Sequence, residues 1–277
     1  RNLITSYLMN QPASLNSYTL NNGVQLVAFH PLILGTFQNR MEKMNFIVDL
    51  VVTRHLTTFT HSVMVSYLAE AIGKHILAAR PELLRIPSSY LEGNVYASPA
   101  EVLDYIVPAA LFHDIGKNGM IPIINTQHRK LNDYEFNIIQ THPQKGSDYL
   151  SSDPDFLIYQ PVALGHHRSY DGTRGYPLSF DNTASPYRDA IDLIHICDCL
   201  DAATDYLSRN YHRAKPFDVV LDELKAGRGT EYNPDMVDVI LSDRELYNDL
   251  KMLTEQNREN IYYDIYLTFV NLRKKRQ

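Results

Sequence analysis

The chain is poor in residues that cross-link or interrupt a polypeptide. Only two cysteines occur among 277 residues, Cys197 and Cys199. They stand two apart in a stretch that reads as helix and face different directions. That spacing suits neither a disulfide nor a structural zinc knuckle, so a reducing interior is the expected setting. Glycine (12) and proline (14) are sparse, which leaves long stretches free to form helix. No apolar run approaches the ~18 residues needed to cross a bilayer, and no signal-peptide pattern opens the chain. The first residue is Arg rather than Met, which leaves room for an upstream segment. The expectation is a cytoplasmic protein, or the cytoplasmic portion of a longer one. Positive charge is not in excess either: 26 Lys and Arg face 32 Asp and Glu, for a net charge of −6. No basic patch dominates, which argues against nonspecific nucleic-acid binding. The one basic run, Arg273 to Arg276, reads as a solvated tail.

What is present is enough apolar residue, 44%, to bury the core of one large domain. Residues 17–29, SYTLNNGVQLVAF, carry an Asn-Asn-Gly turn between β-favouring runs and predict a small hairpin. An N-terminal appendage over 1–40 and an all-α domain over 41–277 are therefore expected. Apolar residues at three and four spacing predict helix from Met41 onward. Ser98 and Pro99 read as an N-cap with proline at the first helical position. Pro108 should kink the helix they open. Asn132 with Glu135 reads as a capping box. Further helices are expected over 188–207, 216–226 and 234–241, and a long terminal one from Glu245.

Eleven histidines are distributed along this pattern. His113 and Asp114 end an apolar helix in ALFHDIGK, and Asp198 is embedded in LIHICDCLDAATDYL. A carboxylate in such surroundings is costly without a partner, and a metal ion is the simplest one. Asp201 and Asp205 follow Asp198 at helical spacing. His142 precedes a proline that is expected to end a helix, His61 lies on an amphipathic helix, and His166 and His167 are adjacent. Adjacent side chains diverge by about 100° on a helix and about 180° on a strand, so this pair is expected to serve two different ions. The candidate ligands are thus His61, His113, Asp114, His142, His166, His167 and Asp198. Seven nitrogen and oxygen donors suit two octahedral divalent ions with one bridging carboxylate. The absence of thiolate favours iron or manganese over zinc, magnesium or nickel. His195 is a candidate for supporting Asp198, and Asp171 for an Asx-turn. His55, His75 and His128 are expected at the surface.

His61, HDIGK (113–117), RKL with HPQKG (129–146), HH with DG and GYP (166–177) and DCLDA (198–202) occur in that order. Together they resemble the HD-GYP family of HD-superfamily phosphohydrolases, over residues 45 to 240. The resemblance implies an all-α helical bundle around a di-metal centre, with the seven ligands above and Asp114 as the bridge. It implies hydrolysis of cyclic di-GMP to linear pGpG, and GMP after a second cut, by attack of a metal-bridging hydroxide. Lys117 matches a lysine facing the scissile phosphate. Arg209 and Tyr211 match a substrate-phosphate element, with Arg213 and Tyr176 as further substrate contacts. Partners implied are cyclic di-GMP or a related cyclic dinucleotide, a diguanylate cyclase at the GYP loop, and a second copy in a homodimer.

There are departures from the family pattern. Thr57 stands where three-metal members carry Glu, so two ions are expected. Arg168 follows the histidine pair in place of Glu, the loop carries an extra residue with Arg174, and Asn210 replaces a proline. These changes keep open an HD hydrolase for another nucleotide, or a cyclic di-GMP receptor of low activity.

Overall fold

The computed structural model describes residues 39–40, 42–43, 46, 55–88, 95–120, 129–208 and 213–275, with side chains to residue 267. The expected appendage, the hairpin at 17–29 and His128 lie outside the described residues. Among the described residues there is no strand, only isolated bridges such as Pro87 with Tyr96. The all-α expectation therefore holds.

Helix α1, Leu56–Ala79, is the spine of the fold. It buries Val63, Met64, Val65, Leu68, Ala69, Ile72 and Ile76. A helix covered nearly all round belongs at the centre of a bundle, and α1 packs on α2, Pro99–Phe112, and on α6, Arg188–Thr204. Ser98 caps α2 with Glu101 in a reciprocal capping box. That arrangement satisfies two main-chain donors that the helix itself leaves open. The helix continues through Pro108, which lies buried within it.

Between these long helices the chain makes short turns of helix: Ile115–Gly119, α3 Asp133–Ile139, α4 His142–Ser151 and α5 Gln160–Gly165. Asn132 and Glu135 form the expected capping box on α3. Pro143 does not end a helix as expected. It occupies the first turn of α4, where its missing N–H costs nothing, so His142 opens that helix. Helix α6 stops one turn short of the expected Leu207, with Asp205 as its cap.

Beyond α6 come α7, Phe217–Ala226, α8, Pro234–Ser242, and α9, Arg244–Lys251. The single terminal helix expected from Glu245 is interrupted. A π-helical turn, Met252–Gln256, separates α9 from α10, Arg258–Lys275. His55, expected at the surface, is buried as the N-cap residue of α1, whose first turn carries the buried Thr58, Phe59 and Thr60. No helix among the described residues is long and apolar enough to cross a membrane.

Candidate metal centre

Two glycines bring the first two motifs together. A Cβ on Gly116 would lie 1.9 Å from the carbonyl oxygen of His142 and 2.5 Å from the amide nitrogen of Gly146. Only a bare Cα lets the turn after Asp114 lie against the first turn of α4. The same contact sets Asp114 Oδ1 3.1 Å from His142 Nε2.

All seven expected ligands converge. Asp114, His142, His166 and His167 offer donor atoms within 4.8 Å of one another, and so do His61, His113 and Asp198. Asp114 faces both groups. Its Oδ1 looks to His142 and, at 3.8 Å, to His166, while its Oδ2 lies 3.6 Å from both His61 and His113. Asp198 Oδ1 is 3.0 Å from His61 Nε2, and its Oδ2 is 3.7 Å from His167 Nδ1.

The expected division of His166 and His167 is not seen. His166 caps α5 and His167 begins a turn, so the divergence of a regular helix or strand does not apply. Their ring centroids lie 4.2 Å apart, and both belong to the Asp114 group.

The rings are oriented from behind. His113 Nδ1 donates to Ala110 O at 2.6 Å, His142 Nδ1 to Ile139 O at 2.7 Å, and His166 Nδ1 to Ala163 O at 2.9 Å. Spending Nδ1–H on a main-chain carbonyl leaves Nε2 as a lone pair aimed into the cluster, the form a metal requires. His61 is held by Asp201 Oδ2, 2.6 Å from Nδ1. Asp201 therefore backs a ligand instead of sharing the front with Asp198. His195 Nδ1 donates to the carbonyl of His166 at 2.7 Å, and its Nε2 lies 3.3 Å from Glu231. The expected supporting role of His195 thus falls on His166, not on Asp198.

Electrostatics favour cations here. Burial, reinforced by neighbouring imidazoles, holds His166 well below the ordinary imidazole range, and burial lowers His113 and His167 too. For Asp114 burial opposes ionisation, but Lys117 and His113 outweigh it and keep the carboxyl well below its usual range. For Asp198 the adjacent imidazoles, His61 first, likewise outweigh burial and keep the carboxyl well below its usual range. Two buried carboxylates thus face one ammonium, Lys117 Nζ, which donates to Asp114 Oδ2 at 2.5 Å. An uncompensated buried charge is costly. His113 Nε2 and Asp114 Oδ1 are also buried with no hydrogen-bond partner. Nitrogen and oxygen donors, excess negative charge and inward lone pairs all fit divalent ions.

The loop behind the histidine pair is tied from inside. Buried Arg168 donates to the carbonyls of Arg174, Gly172 and Gly175. Asp171 accepts from Thr173 N in the expected Asx-turn, which lowers its carboxyl to about 2. Tyr176 N donates to His167 O, and the Tyr176 ring lies 4.5 Å from that of His167. Arg174 turns outward to Glu231 at 3.2 Å. Arg213 is exposed, and Arg209 and Tyr211 lie outside the described residues.

A buried, metal-compatible His/Asp cluster on a helical scaffold defines a class of protein. The model of the HD domain family matches residues 58–210, more than half of the chain, and the chain belongs to that family. Among curated relatives, it is 26% identical over 210 residues to a cyclic di-GMP phosphodiesterase of Vibrio cholerae, covering 72% of this chain and 41% of that protein. It is 33% identical over 146 residues to the cyclic di-GMP phosphodiesterase response regulator RpfG of Xanthomonas campestris, covering 52% and 37%. It is 25% identical over 203 residues to the 3'3'-cGAMP-specific phosphodiesterase 2 of V. cholerae, covering 72% and 37%. The chain thus spans 37% to 41% of the length of these relatives.

Proposed function

We propose that the chain is a metal-dependent phosphodiesterase of the HD-GYP type that opens cyclic di-GMP to the linear dinucleotide. The observation that carries this reading is the pair of His/Asp groups facing the two oxygens of one buried carboxylate, Asp114. His142, His166 and His167 with Asp114 would hold one divalent ion, and His61, His113 and Asp198 with Asp114 the other. Iron and manganese suit this thiolate-free donor set. When bound, such ions supply Lewis acidity and a water acidified to near neutral pH. The chain does the rest. Main-chain carbonyls behind three rings keep the donor nitrogens pointed inward. Lys117, partly exposed at the edge of the cluster, places positive charge where phosphoryl oxygens gain negative charge. Tyr176 borders the cluster on the loop side, where a substrate enters.

The test is anaerobic loading with iron or manganese, incubation with cyclic di-GMP, and chromatography of the products. Linear dinucleotide that Asp114→Asn abolishes supports the reading; two bound ions with no product remove it. The cGAMP-specific relative favours a second reading, in which a mixed cyclic dinucleotide is the better substrate. The same incubation with 3'3'-cGAMP decides between them by relative kcat/KM.

A further inference from the structure

Among the described residues, the most heavily buried cation lies outside the matched family region. Arg258 opens α10, 48 residues past the end of the matched region, and its guanidinium is fully buried. A positive side chain at a helix N-terminus works against the helix dipole, and burying it costs more unless it is paired and hydrogen-bonded. Each of its three nitrogens has a partner. One terminal nitrogen donates to Asp201 Oδ1 at 2.6 Å, the other to Thr204 Oγ1 at 2.8 Å, and Nε to Thr254 O at 3.1 Å. Asp205 Oδ1 lies 3.8 Å away. The π-helical turn over 252–256, a kind of irregularity that recurs at functional sites, supplies the Thr254 carbonyl.

The other oxygen of Asp201 holds His61 Nδ1 at 2.6 Å. Arg258, Asp201 and His61 therefore form one line, ending at a ring whose Nε2 faces Asp198 at 3.0 Å. With its second oxygen fixed by Arg258, Asp201 can only accept from His61, which commits the donor lone pair to Nε2.

We infer that Arg258 is a positioning residue for one of the two metal groups, acting through Asp201 on His61 and leaving the other group untouched. The inference rests on the metal reading above. It makes the C-terminal helix part of the metal centre's support, although that helix lies beyond the HD region. Such partners behind a ligand are worth about 10- to 100-fold in metal affinity.

The experiment is titration of chelator-stripped protein with Mn(II) alone, followed by equilibrium dialysis. Wild type should take up two ions. Arg258→Met should keep one at unchanged affinity and bind the other about 10- to 100-fold more weakly. Arg258→Lys, which keeps the charge without the fork, should recover part of the loss. Asp201→Asn, with Arg258 still held by Thr204, should weaken the same ion. Combined with His113→Ala, Arg258→Met should add nothing; combined with His142→Ala, it should weaken the remaining ion by the same factor. A wild type that binds no Mn(II) sinks the metal reading and this inference together. A wild type with two ions, and an Arg258→Met protein that keeps both unchanged or weakens both alike, overturns the inference alone.

Discussion

His142 Nε2 and His166 Nε2 lie 3.2 Å apart, while each ring's Nδ1 faces a main-chain carbonyl. Neither nitrogen has a proton left to give the other, so two lone pairs confront each other beside a carboxylate oxygen with no hydrogen bond. A cation converts that repulsion into binding energy. Saturation at a hundredfold excess over Kd adds about 2.7 kcal/mol per ion. For a chain of this size each kcal/mol moves Tm by roughly 2–4 °C. Mn(II) added to stripped protein should therefore raise Tm by at least about 5 °C, and Asp114→Asn should abolish the rise. Identical melting with Mn(II) and with chelator would rule out a metal role for this cluster.

Gly116 gives a sharper structural prediction because its partner glycine serves as the control. Ala at 116 would drive Cβ into the His142 carbonyl at 1.9 Å, whereas Ala at 146 meets nothing closer than 3.3 Å. Overpacking typically costs about 1–3 kcal/mol, and here it would also part Asp114 from His142. Gly116→Ala should lose stability and Mn(II) uptake together, with Gly146→Ala much milder in denaturant unfolding. Equal effects at the two positions would mean that this close approach does not hold the motifs together.

How far the sequence reveals the site follows from the same contacts. All seven cluster residues were legible because buried carboxylates and histidines in apolar helices demand partners, and the motif order supplied them. The division of His166 from His167 was misjudged because periodicity describes regular elements, and that pair sits where α5 ends. Pro143 was misassigned for a related reason: proline opens helices as readily as it ends them. Arg258 was invisible. It stands in the polar stretch EQNREN, and only the tertiary fold brings it beneath Asp201. The break in the terminal helix was equally hidden, since a π turn changes the hydrogen-bond pattern without needing glycine or proline.

The two loop arginines should behave oppositely. Arg168 is buried and satisfies three loop carbonyls, while Arg174 makes a surface ion pair and its side chain is 61% exposed. Hydrogen bonds from a charged group are worth about 1.5–3 kcal/mol each; an exposed pair is worth about 0–1 kcal/mol. Arg168→Ala should destabilise the fold and lower turnover, because the loop it ties carries Tyr176 against His167. Arg174→Ala should leave kcat/KM within about twofold, which is about 0.4 kcal/mol. A large loss of turnover in Arg174→Ala at unchanged stability would instead assign that side chain to substrate.

Asp192 gives the pH dependence. It lies buried on α6, accepts from Asn233 Nδ2 at 3.1 Å, and has Arg188 Nε 3.7 Å away. Burial outweighs both partners and pushes its carboxyl up to about 7. The unfolded chain releases this proton near 4, while the folded chain holds it to about 7. Between those values the folded state binds more protons, so this group's contribution to stability falls as pH rises. Below about 4 both states are protonated and there is no penalty; above about 7 both are ionised and the full penalty remains. Three units correspond to roughly 4 kcal/mol. Asp192→Asn keeps the side-chain shape and removes the titration. Relative to wild type it should gain stability progressively from pH 4 to 7 in urea unfolding, with the gain levelling off above that. A wild-type minus variant difference that stays flat across this range would mean that Asp192 ionises freely in the folded protein.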